Sequence, residues 1–442
     1  MNPELLAKYD RPVPRYTSYP TAPHFHAGIG PAACRDWLAE VPAGLPVSIY
    51  MHVPFCQELC WYCGCHTTVA RRYRPIAEYL ELLLDELELV ADTLGGPRPV
   101  AHVHLGGGTP TMLAPDDLRR LGERLRECFA ITADAEVAVE IDPRPLAPET
   151  VGALAAIGVT RASLGLQDVN PEVQRAINRW QPFEVTERAV DWLREAGIRG
   201  INLDLIYGLP HQTVARVLRS VEAALSLRPD RVALFGYAHV PWMKRHQRLI
   251  DEAALPGPTE RAAQLEAAAA RLGEAGYVAI GLDHFALPED SLAHALREGR
   301  LRRNFQGYTT DGAPVLIGLG ASAIGSLPHG YVQNAVSLPA YRDMIRAGSL
   351  GTVRGVALSA EDRRRRAIIE RLMCAFAVDL NGSAELFADE LEALEPLAAD
   401  GLVSIEDGVV RVESQGRPLV RTVCALFDAY LARGVARHSC AV

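Results

Sequence analysis

The chain has 442 residues, 49% of them hydrophobic and 22% charged, a globular composition too long for one ordinary core. A net charge of −9 with no continuous basic stripe argues against nucleic acid as the main partner. No apolar run reaches bilayer length, so a soluble protein without a membrane span is expected.

Residues 1–45 include YDRPVPRYTSYPTAPHF, whose prolines and aromatics preclude a long helix but suit an extended arm. The opening MNPELLAKYDRPVPRY has no secretory signal pattern, so a reducing, cytoplasmic compartment is expected. From residue 46, short apolar runs alternate with longer amphipathic ones. PVSIYMHV (46–53), VAHVHL (100–105), AEVAVEI (135–141), RASLGL (161–166), INLDLIYGL (201–209), RVALFGYAH (231–239) and VAIGLDHFAL (278–287) read as strands. IAEYLELLLDELELVADTL (76–94), PDDLRRLGERLRECF (115–129), TERAVDWLREAG (186–197) and TVARVLRSVEAALSL (213–227) read as helices. Repeated strand–helix units with buried apolar strands imply an α/β fold on a parallel sheet. A complete or partial (β/α) barrel over 46–290 fits better than a dinucleotide fold, with 291–357 an extension and connection. Residues 358–442 read as a mostly helical C-terminal domain: helices over 361–376 and 384–403, a strand pair (402–408 and 409–414), and a last helix over 417–435. Helices with a small hairpin resemble a winged-helix module, but these helices are acidic and leucine-rich, so nucleic-acid binding is not expected.

Cys56, Cys60, Cys63 and Cys65 crowd into HVPFCQELCWYCGCHT. The first three are spaced C-x3-C-x2-C, and three thiolates this close can hold three corners of an iron–sulfur cube. No fourth cysteine at typical cluster spacing completes the set, which leaves one iron open to a substrate or cofactor. A zinc site would usually show two separated pairs, whereas the nearest histidine here is His66 and no second pair exists. Redox-active or inert thiols are the remaining alternatives. Cys34, Cys128, Cys374, Cys424 and Cys440 are scattered; Cys128, Cys374 and Cys424 lie in apolar helical patterns and read as buried inert thiols.

Polar and glycine residues gather where the strands end. The cysteine loop follows the first strand, and Gly106, Gly107, Gly108, Thr109 and Pro110 follow the second. Glu140 and Asp142 end the third strand, Gln167 and Asp168 the fourth, and Tyr237, Ala238 and His239 the sixth, while Asp204 lies inside the fifth. All point to the carboxyl end of a parallel sheet, where barrel enzymes place active sites. Singly, each has a plain reading. GGGTP serves as a tight connection and lacks the lysine of a phosphate loop, although its glycines also admit a small molecule close to the backbone. Glu140 reads as a capping acid and Gln167 as a satisfied core residue. Asp204 requires a partner within its apolar strand.

These residues resemble the radical S-adenosylmethionine enzymes, in which C-x3-C-x2-C holds a [4Fe–4S] cluster whose open iron chelates S-adenosylmethionine. CGC at 63–65, PRYTSYPTA (14–22), GGGTPT (106–111), RRNFQGYTT (302–310), LFGYAHVPWMKRHQR (234–248) and LVRTVCALFDAYL (419–431) are similar to the oxygen-independent coproporphyrinogen III oxidase family, along nearly the whole chain. The resemblance implies that Cys56, Cys60 and Cys63 hold the cluster, with Cys65 nearby and not ligating. It implies that Tyr50 and Tyr62 flank one S-adenosylmethionine, with Gly107, Glu140 and Ile324 completing its site, and that Tyr50 and Glu140 serve catalysis. A second S-adenosylmethionine would meet Gly108, Thr109, Gln167, Arg179, Asp204 and Ala238. Tyr62 stands where the family pattern leads one to expect phenylalanine, which keeps the aromatic face.

The implied reaction is radical decarboxylation of two propionates of coproporphyrinogen III to vinyl groups, giving protoporphyrinogen IX in haem biosynthesis. A cytoplasmic monomer with an external electron donor and acceptor is expected. Four propionates call for cations, and Lys8 and Lys244 are the only lysines among 45 basic residues, so arginine is the cation at hand. Arg11, Arg15, Arg302 and Arg303 lie in the family-like segments and are candidates beside a plain reading as surface arginines. A haem chaperone on the same scaffold is the first alternative; such relatives typically lack the cysteine at position 65, the arm and RNFQGYTT, all present here. Another tetrapyrrole-acting radical enzyme, or a zinc enzyme, are the others.

Overall fold

Seven strands lie side by side in parallel in the computed structural model, which describes residues 3–434. They are β1 (Val47–Val53), β2 (Pro99–Gly107), β3 (Ala130–Ile141), β4 (Arg161–Gln167), β5 (Gly200–Tyr207), β6 (Arg231–Gly236) and β7 (Val315–Leu319). Their spatial order is β7-β1-β2-β3-β4-β5-β6, with antiparallel strands extending both edges into a twelve-stranded sheet. The fold is the expected α/β class, its strand order open at both ends.

Alternation along the strands divides the sheet into a helix-covered face and a polar one. In β1, Val47, Ile49, Met51 and Val53 are at most 1% exposed and share a core with Leu80, Leu83 and Leu87 of helix Arg74–Leu94. Ser48, Tyr50 and His52 therefore take the opposite face. The same rule sends Val139 and Ile141 of β3, and Leu203 and Leu205 of β5, into the core, and leaves Glu140, Asn202 and Asp204 on the polar face. Helix Arg74–Leu94 repeats its apolar residues at three- and four-residue spacing (Ile76, Leu80, Leu83, Leu87) and ends at Gly95, whose left-handed φ of +71° halts it.

Three readings require correction. Residues 278–287 are not one strand: Val278–Ile280 turns at Gly281 (φ +61°) into His284–Ala286, which runs antiparallel to β6. The close approach of the Tyr308 ring leaves no room for a Cβ at position 281, so glycine and the turn go together. In the C-terminal region Ala377–Asp379 forms an additional strand, making a three-stranded sheet with Val409–Val412 at its centre. The last helix is confined to Val420–Leu426, after a 3-10 turn over Ser414–Leu419. Residue 435 of the helix read over 417–435, and Cys440, lie outside the described residues.

The arm contains two short helices, Pro3–Tyr9 and Pro31–Ala39, joined by extended chain. Its Leu6, Tyr9, Tyr16 and Tyr19 share a second core with Leu372, Leu419, Val423 and Phe427 of the C-terminal region. The arm and the described C-terminal region thus pack as one body. Among the described residues no helix is long and apolar enough to cross a membrane.

Candidate active site

β1 runs directly into a two-residue ribbon, Phe55–Cys56 paired with Thr68–Val69, which closes the cysteine loop at its base. The loop is pinned from several sides. Ala70 N–H donates to the Cys56 carbonyl (3.0 Å) and Trp61 N–H to that of Ile177 (2.9 Å). His246 Nε2 donates to the Cys63 carbonyl (2.7 Å) and Lys244 Nζ to that of Cys65 (3.0 Å).

Each sulfur of the triad faces donors. Thr67 Oγ1 donates to Cys56 Sγ at 3.1 Å, and the Thr109 hydroxyl lies 3.5 Å from the same sulfur. Cys60 Sγ receives Arg144 Nη2 and Arg179 Nη1, each at 3.5 Å, and Cys63 Sγ receives the Cys65 N–H at 3.4 Å. The Cys65 side chain, as a hydrogen-bond donor, pulls the Cys63 thiol below its ordinary value, and burial opposes this. Burial pushes the Cys56 thiol up, against the Thr109 and Thr67 hydroxyls. Donors aimed at sulfur suit thiolates, and hydrogen bonds to sulfur are one lever on cluster potential. Among the described residues no three His, Cys, Asp or Glu side chains converge closely enough for a single metal ion.

A wall of Tyr50, His104 and Glu140 stands beside the loop. Burial keeps His52 neutral. Its Nε2 donates to the His66 carbonyl (2.9 Å), so its Nδ1 accepts the Tyr50 hydroxyl (2.9 Å). Glu140 meets His104 Nε2 at 3.0 Å and accepts the Gly107 N–H at 3.1 Å. Burial works against its ionisation, but His104 and Gly107 hold the carboxyl below its ordinary range. Gly107 has φ +114°, and a Cβ on Gly108 would lie 2.6 Å from the Phe55 carbonyl. Gly108 is thus demanded by the ribbon at the base of the cysteine loop, and Gly107 by its backbone angle and the His52 ring. Gly318 lies opposite Tyr50 in register, and the Ile324 backbone closes on Gly318, which brings Ile324 to the same wall.

A second group lies across β4 and β5. Arg179 Nη2 donates to the Gly165 carbonyl (2.7 Å) and Nη1 reaches Asp142 and Cys60 (each 3.5 Å), while Nε is buried without a hydrogen-bond partner. Gln167 follows a bulge in β4, with φ +64°. Asp204 accepts from Ser163 Oγ (3.1 Å) and Asn202 Nδ2 (3.0 Å); burial, then the nearby Glu140 charge, push it up to about 6. Gln247 Nε2 donates to the carbonyls of both Tyr62 (2.9 Å) and Ala238 (3.2 Å), tying those two positions together. The expected cysteine and S-adenosylmethionine-site residues therefore meet at one end of the sheet. His52, His104, Arg144, Ser163 and Asn202 were not anticipated. For all but Arg144, which lies in a loop, the signal was the alternation itself: polar residues at every second position of buried strands mark the face that carries the site.

A cavity of about 840 Å³ adjoins this mouth, lined by Tyr207, Tyr237 and Ala238 of the sheet, Arg261, Asp283 and Arg303, Arg15 of the arm and Arg421 of the C-terminal region. Despite burial, His284, Arg303 and Arg15 hold Asp283 down at about 2. Nε and Nη1 of Arg303 are buried with no hydrogen-bond partner. Of the other candidate arginines, Arg302 lies 3.8 Å from Glu370 and lines a separate cavity of about 300 Å³; Arg11 lines neither.

Residues 50–224 match the Radical SAM superfamily and residues 358–419 the HemN C-terminal domain. The chain is 52% identical to an oxygen-independent coproporphyrinogen III oxidase of Bradyrhizobium diazoefficiens, over 100% of both chains. It is 46% identical to that of Paracoccus denitrificans, over 97% of this chain and 96% of the relative. The solved coproporphyrinogen III oxidase (HemN) of Escherichia coli, described as a Radical SAM enzyme, has a TM-score of 0.91 and 41% identity, over 97% of this chain and 98% of that one.

Proposed function

The chain belongs to the oxygen-independent coproporphyrinogen III oxidase family of radical S-adenosylmethionine enzymes, and from that premise we propose how its residues divide the work. It is an oxidoreductase that decarboxylates two propionates of coproporphyrinogen III to vinyl groups, giving protoporphyrinogen IX. The observation that carries the assignment of roles is the convergence of three donor-facing sulfurs with Tyr50, Glu140 and Asp204 on one mouth.

Cys56, Cys60 and Cys63 hold a [4Fe–4S] cluster, and their hydroxyl, guanidinium and amide donors fit thiolates. When bound, the cluster and S-adenosylmethionine together supply a 5′-deoxyadenosyl radical able to take hydrogen from a propionate β-carbon. Tyr50, Tyr62, Gly107, Glu140 and Ile324 bind the first S-adenosylmethionine, Glu140 presenting a negative charge and Tyr50 a hydroxyl fixed by His52. Gly108, Thr109, Gln167, Arg179, Asp204 and Ala238 bind a second. The unpartnered Arg179 Nε and Asn202 Oδ1 support a polar ligand there. Arg15 and Arg303 take substrate carboxylates in the adjoining cavity, a reading supported by the two unpartnered nitrogens of Arg303. The arm and C-terminal region border that cavity and exclude water from it. We further propose that the protein acts in the cytoplasm as a monomer, taking one electron from an external donor and passing the substrate's electron to an acceptor.

Anaerobic incubation of reconstituted protein with coproporphyrinogen III, S-adenosylmethionine and a reductant tests this. Deoxyadenosine, the monovinyl intermediate and protoporphyrinogen are expected to accumulate together. Tight stoichiometric haem binding with no deoxyadenosine would instead identify a haem chaperone.

A further inference from the structure

The ribbon that carries Cys56 has an outer side. There a surface groove of about 710 Å³ is lined by Phe55, Val69, Ala70, Leu338 and Pro339, among others. Phe55 and Ala70 form its buried floor, while Val69, 40% exposed, and the exposed Pro339 stand at its opening. Isolated exposed apolar residues require no explanation, but an apolar-floored groove rimmed by charge is a candidate interaction surface.

That rim is cationic on a chain whose net charge is −9. Arg71, Arg72, Arg342 and Arg346 line the groove. Its acid, Glu78, is paired with Arg74 at 2.7 Å, and Asp343 is paired with Arg342 at 2.9 Å. Arg71, Arg72 and Arg346 are exposed and form no ion pair among the described residues. The chain's net charge disfavours an acidic partner, whereas the local charge here attracts one.

The groove also has a short connection to the thiol triad. Thr68 and Val69 are both groove wall and ladder partners of Phe55 and Cys56. Thr67, next to Thr68, donates to Cys56 Sγ at 3.1 Å, and Ala70 N–H donates to the Cys56 carbonyl at 3.0 Å. One residue and one hydrogen bond separate the surface from the sulfur.

We propose that this arginine-rimmed groove is the docking surface for an acidic one-electron donor protein. The inference rests on the cluster assignment made above. The donor is oxidised by one electron and the [4Fe–4S] centre gains it, with no bond made or broken at the groove. A second copy of this chain is disfavoured as occupant, because a two-fold contact would set the same arginines against each other.

The test compares reconstituted wild-type protein with R71E/R72E and with R346E. Cluster reduction is followed by bleaching of visible absorbance, using either a reduced acidic flavodoxin or dithionite. Reduction by flavodoxin is expected to slow at least about tenfold in the variants at low salt, the difference shrinking as ionic strength rises. Reduction by dithionite is expected to be unchanged, as is flavodoxin reduction of R188E, a charge reversal on the distant helix Phe183–Glu195. Equal slowing with both reductants, no slowing with either, slowing in R188E as well, or a solution dimer dispersed by R346E would overturn the assignment. Failure of the proposed activity is distinguishable from all of these, since it would appear as normal bleaching of the wild type without deoxyadenosine.

Discussion

Asp204 sits between Leu203 and Leu205 of the buried face, with its carboxyl turned to Ser163 and Asn202 and within the field of Glu140 and His284. Burial and Glu140 raise it from 3.8 to about 6, so the fold favours the neutral acid. Ionisation therefore erodes stability as pH rises from about 4, and the loss, about 2–3 kcal/mol, is complete above about pH 6. Asp204→Asn removes that term while keeping an acceptor for Ser163. Chemical denaturation of cluster-free protein should show the variant about 2–3 kcal/mol more stable than its parent at pH 8, and about half as much at pH 5. An equal gain at both pH values would place the effect in packing. The same variant should bind S-adenosylmethionine more weakly, a trade of stability for function common at polar sites. Asp204 was visible in the sequence because an acid within an apolar strand has few innocent explanations. Arg144 was not, since its role depends on Cys60 lying beside it, 84 residues away in the chain. A contact of that kind leaves no local pattern.

At the scale of elements, helix Arg74–Leu94 and the β7 end of the sheet are joined by one buried carboxylate. Glu86 Oε2 accepts from Gly320 N–H (2.6 Å) and the Tyr341 hydroxyl (2.7 Å), and Oε1 accepts from Asn334 Nδ2 (2.7 Å). Burial raises it to about 7, with these donors pulling the other way. Every partner is a donor, which only a carboxylate can satisfy at both oxygens. Glu86→Gln places an amide N–H against donors already in position, and should destabilise the protein by about 2–4 kcal/mol at pH 8. Because Gly320 and Asn334 bracket the Ile324 strand, a loosened grip on S-adenosylmethionine should accompany it in equilibrium binding. A variant as stable as its parent would show that the network relaxes around the amide. In sequence Glu86 is one more acid on an amphipathic helix. Six of the seven parallel strands, by contrast, were legible as short apolar runs, and the parallel sheet followed from their repetition with helices; Val315–Leu319 was not read as a strand. The error over 278–287 has the same physical root as Glu86: Tyr308, distant in sequence, decides the turn at Gly281.

At the scale of the whole molecule, the cavity beside the site is bordered by the arm and the C-terminal region, which meet there. Arg421 Nε donates to the Pro14 carbonyl (3.0 Å) and Nη2 to that of Val13 (2.5 Å). Tyr16 donates to Asp428 (3.0 Å), Thr422 to the Tyr9 carbonyl (3.1 Å), and Ala429 N–H to the Tyr19 hydroxyl (3.1 Å). Arg15, between these anchors, is thereby held at the cavity wall together with Arg421 itself. Prolines across 12–20 supply no amide donors, so the arm has little sheet or helix of its own and depends on these side chains. Arg421→Met keeps length and apolar bulk but removes both donors. Limited trypsin digestion should then cut after Arg15 several-fold faster than in the parent, with cleavage in the helices around the sheet unchanged. Uniform acceleration at every site would mean global loss of stability, not release of the arm, because nicking of a transiently open segment follows the free energy of that opening. With the arm released, affinity for the four-carboxylate substrate should fall while S-adenosylmethionine binding, built on the sheet, is retained.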